Sequence, residues 1–511
     1  MTSGTSDALF VGVDIGTSAT RGVVVDVSGE IRAFASVPHT VSTPADGMAE
    51  HDAETVWWAG VSEVCRRLMA DPEVSARNVA AVGCSGVGPC VLPVDADLTP
   101  LRPAILYGVD TRAHEQIGEL EARLGRQAIL RQAGHVLSSQ SAGPKIAWLA
   151  RHEPDTHAGA AAFLTSQSFV VARLTGEIVI DHATAGYFDP LYDLDTHRWN
   201  VARCEDFVAE RQLPRLAWAS EVAGSVTPAA SAATGLPAGV PVVTGTADAQ
   251  AEAIAAGVAV PGDTMMMYGS STFVMRMTTA PARSPTVWSA PFLWPGRFGV
   301  SAGTSTAGTL TRWLAELLGL HPGRDEGAFE ELVRLAASSP PGANGLLTLP
   351  YLSGERTPVD DPMARGVVAG LTLRHTRADL ARSAIEGVAH AAVDALRAVA
   401  ADERPIRRLY AVGGGTRNPV WLQAVSDISG IAQHVSRTPG AAFGGAVLAA
   451  FGTGHLARPA LPAGGGPERV VTPDPAAHRR YAEDHALYRQ LYHQTRSIVH
   501  ALAVPRPGGP Q

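Results

Sequence analysis

The chain has 511 residues, 46% of them hydrophobic and 18% charged, with a net charge of −8. That length supports about two to four domains with a sizeable core, and Lys and Arg are spread too thinly for a nucleic-acid or membrane-surface footprint. No apolar run reaches the ~18 residues of a membrane span, the start lacks a basic, apolar signal segment, and Cys65, Cys84, Cys90 and Cys204 lack metal-type spacing, so a reducing cytoplasm is expected, with Cys84 and Cys90, in an apolar stretch, as buried thiols.

Residues 1–7 are expected to be disordered. The run from Val11 to Asp26 reads as strand, tight turn, strand: two apolar stretches around Gly16-Thr17-Ser18, with Arg21 on the return. Glycine lets the backbone come close to a ligand, and successive N–H groups and hydroxyls in such a turn cradle phosphate oxygens. Asp14 lies inside the first apolar stretch, where a carboxylate is costly unless it holds a cation or a hydrogen-bond network. Beside a phosphate turn the fitting cation is Mg2+; a carboxylate capping its own turn is the other reading. Arg21 either neutralises phosphate or is a surface arginine.

Helical spacing follows over Glu54 to Ala70 and Thr111 to Leu124, and Ala80 to Cys84 and Val240 to Thr244 read as buried strands. This alternation is α/β in character. After the second strand, Asp248 opens an Ala-rich helix. Helix N–H groups are expected to hold that carboxylate and keep it ionised, leaving it either an ordinary helix cap or an acceptor for a substrate proton. Gly257 to Asp263 reads as a joint, and Thr264 to Met277 then repeats the first hairpin around Gly269-Ser270-Ser271. Paired hairpins suggest two related domains gripping one polyphosphate. Helical spacing recurs over Thr311–Leu318, Ala378–Ala401 and Pro419–Ser429, with a strand at Arg408–Val412. That strand runs into Gly413-Gly414-Gly415, then Asn418 and a proline suited to a helix first turn; the triplet is either a flat ligand surface or a plain turn. Residues 460–470 read as a flexible loop, and Pro505 to Gln511 as disordered. The helix over about 475–502 carries His478, His485, His493 and His500 at a spacing that suits one exposed face.

These segments resemble the FGGY family of carbohydrate kinases over roughly residues 9–455. Gly366 to Leu371, seven further residues, and Asp379 to Glu386 match the family's C-terminal signature. Leu349 to Pro358 resembles the loop before it. Lys145 to His152 resembles the N-terminal signature, with Ala142 where Pro, Ser or Thr is usual. The resemblance implies an α/β fold of two actin/Hsp70/hexokinase-like (ribonuclease H-like) domains, 8–256 and 257–505, with a deep interdomain cleft. It further implies ATP and Mg2+ as cofactors, Asp14 at the metal, and Thr17, Ser18 and Arg21 on phosphate. Ser270 and Ser271 then face the triphosphate, Gly308, Gly414, Gly415 and Asn418 line the nucleotide pocket, and Asp248 is the base. Ala249 follows that base where the family often has Gln or Asn.

In the substrate segment, Val87-Gly88-Pro89 replaces the polar triplets of xylulokinase-like and glycerol kinase-like members. This disfavours glycerol and implies a roomier, less polar corner. Tyr107-Gly-Val-Asp110-Thr-Arg112 resembles the family's Trp-Asn-Asp-x-Arg stretch, so Asp110 and Arg112 either contact substrate or form a structural ion pair. The expected activity is phosphorylation of a small sugar or polyol, D-xylulose first, with tetritols, pentitols, hexuloses and gluconate as alternatives. A non-catalytic sugar- and ATP-sensing relative is the rival. No nucleic-acid or membrane partner is expected, and a homodimer is left open.

Overall fold

The computed structural model describes residues 7–322, 325–402, 404–436, 440–459 and 469–503. The expected disorder at 1–6 and 505–511, and the loop over 460–468, lie outside these residues. The described chain falls into two compact units. One holds the residues up to Ala259, Met277–Gly299 and the 440–459 segment; the other holds Val260–Arg276, Val300 to Ser436 and 469–503.

The first unit is built on a mixed sheet. Its strands run in the order Val222–Ser225, Pro241–Val243, Val79–Gly86, Leu9–Ile15, Ala19–Asp26, Ile31–Pro38, and the short strand Thr246–Ala247 also pairs with Val79–Gly86. Leu9–Ile15 is buried along its whole length, as a central strand covered on both faces must be. It has an antiparallel neighbour, Ala19–Asp26, on one side and a parallel neighbour, Val79–Gly86, on the other.

The second unit repeats this plan. Asp263–Tyr268 pairs antiparallel with Thr272–Thr278 and parallel with Arg408–Val412, and Gln433–Val435 continues the parallel run. The two hairpins read as copies therefore occupy the same place in two sheets. Their turns differ by one residue: Ile15 and Thr20 are the last paired residues of the first, Tyr268 and Thr272 of the second. Strand Arg469–Val471 pairs with Gln433–Val435, so the loop expected over 460–470 is replaced at its end by an edge strand.

Helix Ala441–Gly452 is apolar all round and buried over most of its length, which places it inside a core. It lies directly on the first sheet. A Cβ added at Gly12 would stand 1.8 Å from the Ala442 carbonyl oxygen, and one at Gly83 would stand 2.1 Å from that of Gly445.

The closing helix spans Pro475–Ala503, and its histidines do not form an exposed face. His485 is buried and bridges His390 and Asp394, His478 Nδ1 lies 2.7 Å from the Asp427 carbonyl, and His500 lies 2.7 Å from Asp361; His493 alone of the four is exposed. A spacing of seven or eight residues marks one helix side, and here Tyr481 and Tyr488 make that side the inward one.

The helix–sheet contact yields a stability prediction. Gly12→Ala should cost about 1–3 kcal/mol or more in urea unfolding. Gly118→Ala, inside helix His114–Leu124 with nothing within 4 Å of the added methyl, should add about 0.5–1 kcal/mol. Equal responses would show that close contact with Ala442 is not what requires a glycine at position 12.

Candidate active site

Strand register gathers the acidic residues of the first unit. Asp14 is paired with Ser85 on one side and with Arg21 on the other. Ser85 is in turn paired with Thr246, and Gly86 with Ala247. Asp248 follows at the first position of helix Asp248–Ala256. The turn into this strand passes so close to Val79–Gly86 that a Cβ at Gly245 would stand 2.0 Å from the Cys84 carbonyl, and Gly245 has a φ of +73°, a conformation glycine adopts freely.

The site's charge state differs from the sequence expectation. Asp248 is not held ionised by helix N–H groups. It accepts from the Ala249 amide at 2.8 Å, but burial and the neighbouring Asp14 charge push its carboxyl up to about 8. Asp14 accepts from the Ser85 hydroxyl at 2.9 Å. Burial raises its carboxyl to about 6, against the lowering effects of Ser85 and Arg21. Two buried carboxyls, one of them raised further by the charge of the other, make a site short of positive charge. Among the described residues no cluster of three or more His, Cys, Asp or Glu side chains is set to hold a metal ion. The pair suits a cation whose remaining ligands are phosphate oxygens and water, as is usual for Mg2+.

The first turn closes with the Gly16 amide donating to the Ala19 carbonyl at 3.0 Å. A methyl at Gly16 would stand 3.7 Å from Asp14 Oδ2 and 3.9 Å from Arg21 Nη1, so opposite charges flank the turn. Ser18 and Arg21 are exposed, and Thr17 Oγ1 lies 3.1 Å from the Tyr107 hydroxyl. Gly88 adjoins the short strand that leads into Asp248: a Cβ there would lie 3.4 Å from that of Ala247. Asp110 and Arg112 are engaged with protein groups. Asp110 accepts from the Ala49 amide at 2.7 Å and from Arg112 at 2.7–3.1 Å. Arg112 also pairs with Glu50 and lies over the Trp148 ring.

In the second unit, Ser270 is exposed and Ser271 partly so. The Gly269 and Ser270 carbonyls accept from the amides of Ala307, Gly308 and Thr309 at 3.0–3.1 Å, at the start of helix Gly308–Leu317. A Cβ at Gly308 would stand 2.6 Å from the Gly269 carbonyl. The glycine triplet divides by cause: Gly413 and Gly415 press against Tyr268, and Gly415 also against Trp421, whereas a Cβ at Gly414 would meet only the tip of Arg417, at 3.9 Å. Asn418 caps helix Pro419–Ser429, accepting from the Trp421 amide at 3.1 Å.

The family model described as the N-terminal domain of the FGGY family of carbohydrate kinases matches residues 9–255, and the C-terminal-domain model matches 264–453. The chain belongs to the FGGY family of carbohydrate kinases. Xylulose kinase of Escherichia coli (strain K12) is 30% identical over 504 residues, 95% of this chain and 99% of that protein. Glycerol kinase of Nocardia farcinica (strain IFM 10152) is 34% identical over 434 residues, 81% of this chain and 84% of that protein. The crystal structure of xylulose kinase from Rhodospirillum rubrum matches with a TM-score of 0.89 at 32% identity, covering 96% of this chain and 100% of that one. This FGGY kinase is accordingly an ATP-dependent sugar phosphotransferase with the two-domain α/β fold of the actin/hexokinase-like sugar kinases. No described helix is long and apolar enough to cross a membrane.

The C-terminal signature of this FGGY kinase braces the fold. Asp379 accepts from Thr376, Ser339 and Asn344 at the start of helix Arg377–Val399. Glu386 accepts from the Gly342 amide, Arg382 and Tyr481. Sequence reading missed the residues that support Asp248 from behind. Asp181 accepts from the Thr246 hydroxyl at 2.8 Å, and Thr184 Oγ1 accepts from the Ala247 amide at 3.1 Å; their only signal in the sequence is an Asp-x-x-Thr helix cap.

Asp379 gives a pH-dependent prediction. Its hydrogen bonds, led by the one from Ser339, hold its carboxyl below the usual range, so its stabilisation is complete above the unfolded value of about 4 and is lost as pH falls below it. Asp379→Asn should lower stability by about 1 kcal/mol at pH 7, and its deficit against wild type should begin to shrink below about pH 4 and go on shrinking as pH falls toward the depressed native value. A deficit that persists unchanged in acid would assign the loss to packing.

Proposed function

We propose that the chain phosphorylates a ketopentose such as D-xylulose, with ATP as donor and Asp248 as the base. The observation that carries this reading is the three-strand register that sets Asp248 beside Asp14 and Ser85. In this reading the sugar hydroxyl attacks the terminal phosphorus, its proton passes to Asp248, and the bond from that phosphorus to the departing ADP oxygen breaks. Thr17, Ser18 and Arg21 hold transferred phosphate. Ser270, Ser271, Gly308, Gly414, Gly415 and Asn418 serve the nucleotide. Mg2+, held by Asp14 and phosphate oxygens, would neutralise phosphate charge and favour the ionised Asp248. Asp110, saturated by Ala49 and Arg112, shapes the substrate corner through its backbone links.

The near-full-length likeness to xylulose kinase supports the ketopentose. A glycerol reading draws on the Nocardia farcinica likeness, but Val87, Gly88 and Pro89 offer a triol no charged or amide side chain. The neighbours that a side chain at Gly88 would meet are Ala247, Thr165 and Thr184, so this corner bears on substrate shape beside the base.

Asp248→Asn should reduce sugar phosphorylation on the order of 10²–10⁴-fold with ATP binding nearly unchanged; near wild-type turnover would remove Asp248 from the mechanism. Asp14→Ala should raise the Mg2+ requirement and lower turnover with every sugar alike. A defect confined to one sugar would reassign Asp14 to substrate.

The corner is tested separately. Gly88→Met with Pro89→His should change the ratio of kcat/KM between paired substrates about tenfold or more. Competition assays with D-xylulose, glycerol, pentitols, hexuloses and gluconate would read it. An unchanged profile in the folded double variant would put residues 87–89 outside the pocket, and wild-type preference for glycerol would replace the ketopentose.

A further inference from the structure

His51 is a buried histidine to which the mechanism above gives no task. It belongs to the two-residue strand Glu50–His51, paired with Ala104–Ile105, and is 1% exposed. The fully buried Trp57 donates its indole N–H to His51 Nδ1 at 3.1 Å. An indole nitrogen only donates, so Nδ1 is the acceptor and the ring proton sits on Nε2. Burial and the adjacent His39 push the imidazole down to about 4, so the ring is neutral and this tautomer is its working form. Nε2 has no hydrogen-bond partner in this structure, yet the Thr17 main chain lies near enough to favour a proton on the ring. An unpaired buried N–H is costly and calls for a cause.

The cause lies in the turn beside it. His39, edge-on to His51 at 5.0 Å, donates its main-chain N–H to the Ser18 carbonyl at 2.9 Å. The Tyr107 hydroxyl reaches Thr17 Oγ1 at 3.1 Å. The Gly16–Ser18 turn is thus held through a side chain and through one carbonyl, and His51 offers the matching donor for a second. In a trans peptide the C=O and the following N–H point in opposite directions. A donor that draws the Thr17 carbonyl to one side therefore turns the Ser18 N–H to the other.

We propose that His51 is a positioning residue for ATP: its Nε2–H takes the Thr17 carbonyl and thereby aims the Ser18 N–H at nucleotide phosphate. The proposal rests on the reading of Gly16–Ser18 as a phosphate turn. The test measures Mg·ATP affinity of the intact protein by calorimetry, beside steady-state kinetics with ATP and sugar varied separately. His51→Asn places an amide near Nδ1 and offers nothing at Nε2, whereas His51→Gln carries an amide N–H out to the Nε2 position. His51→Asn should weaken ATP binding and raise the KM for ATP about tenfold, with the KM for sugar unmoved, and His51→Gln should recover most of that loss. Trp57→Phe keeps an aromatic ring but releases the tautomer, so it should weaken ATP binding in the same direction, and it decides the matter if His51→Asn does not fold. Unchanged ATP affinity in His51→Asn or Trp57→Phe, equal losses in the Asn and Gln variants, or an effect on the sugar KM alone would overturn the proposal. A wild-type protein that binds ATP but phosphorylates no sugar would overturn the functional reading instead, and the affinity comparison would still decide the role of His51.

Discussion

Backbone-to-backbone contact between helix Ala441–Gly452 and strands Leu9–Ile15 and Val79–Gly86 governs the first unit. Without side chains at Gly12 and Gly83, the helix settles directly on the two strands that carry Asp14 and Ser85. Each of those residues lies two positions beyond its glycine on the same strand. A helix seated this close leaves little freedom for the strands to slide or tilt. The hydrogen bond between Ser85 and Asp14 therefore depends on a backbone contact made two residues earlier on each strand.

The acidic pair turns that rigidity into chemistry. Separated and solvated, two aspartates would both be ionised at neutral pH. In a buried place, loss of solvation raises both, and the charge of Asp14 adds to burial in pushing Asp248 up to about 8. In the reaction proposed above, Asp248 would accept a proton only once positive charge lies beside Asp14, which is what Mg2+ on the nucleotide would supply. The second unit holds Ser270 and Gly308 in place without an acidic residue at the matching strand position, where Met267 stands two residues before Gly269.

What could be read in the sequence was local. Apolar runs interrupted by Gly and hydroxyl residues announced both hairpins, and proline after a glycine cluster marked the start of helix Pro419–Ser429, because turn chemistry is written in a few adjacent residues. What escaped depends on distant chain. The protonation of Asp248 reflects Asp14, which no helix-cap argument includes. The inward face of the closing helix is set by Tyr351, Asp361 and Asp394, which its own periodicity does not reveal. Two glycines of the triplet at 413–415 answer to Tyr268 and Trp421, so a pattern that looked like ligand surface is partly ordinary packing. Asp110 and Arg112, legible as a charged pair, meet Glu50 and Ala49 from a segment some sixty residues earlier.

The closing helix also bears on how the protein is made. Tyr488 reaches back 137 positions to the Tyr351 hydroxyl, and His500 reaches back 139 to Asp361. Leu349, Tyr351, Ala364 and Ala391 share an apolar cluster with Tyr488. Synthesis runs from the N-terminus, so these residues leave the ribosome well before the helix that covers them. During that interval the second unit carries an open apolar face beside a loop whose carboxylate has yet to meet its partners. Contacts this distant in sequence close only after a long stretch of chain has been ordered. Helix Pro475–Ala503 is therefore the element whose docking completes this cluster, and without it Tyr351 and Asp361 lose the partners that Tyr488, Tyr492 and His500 supply.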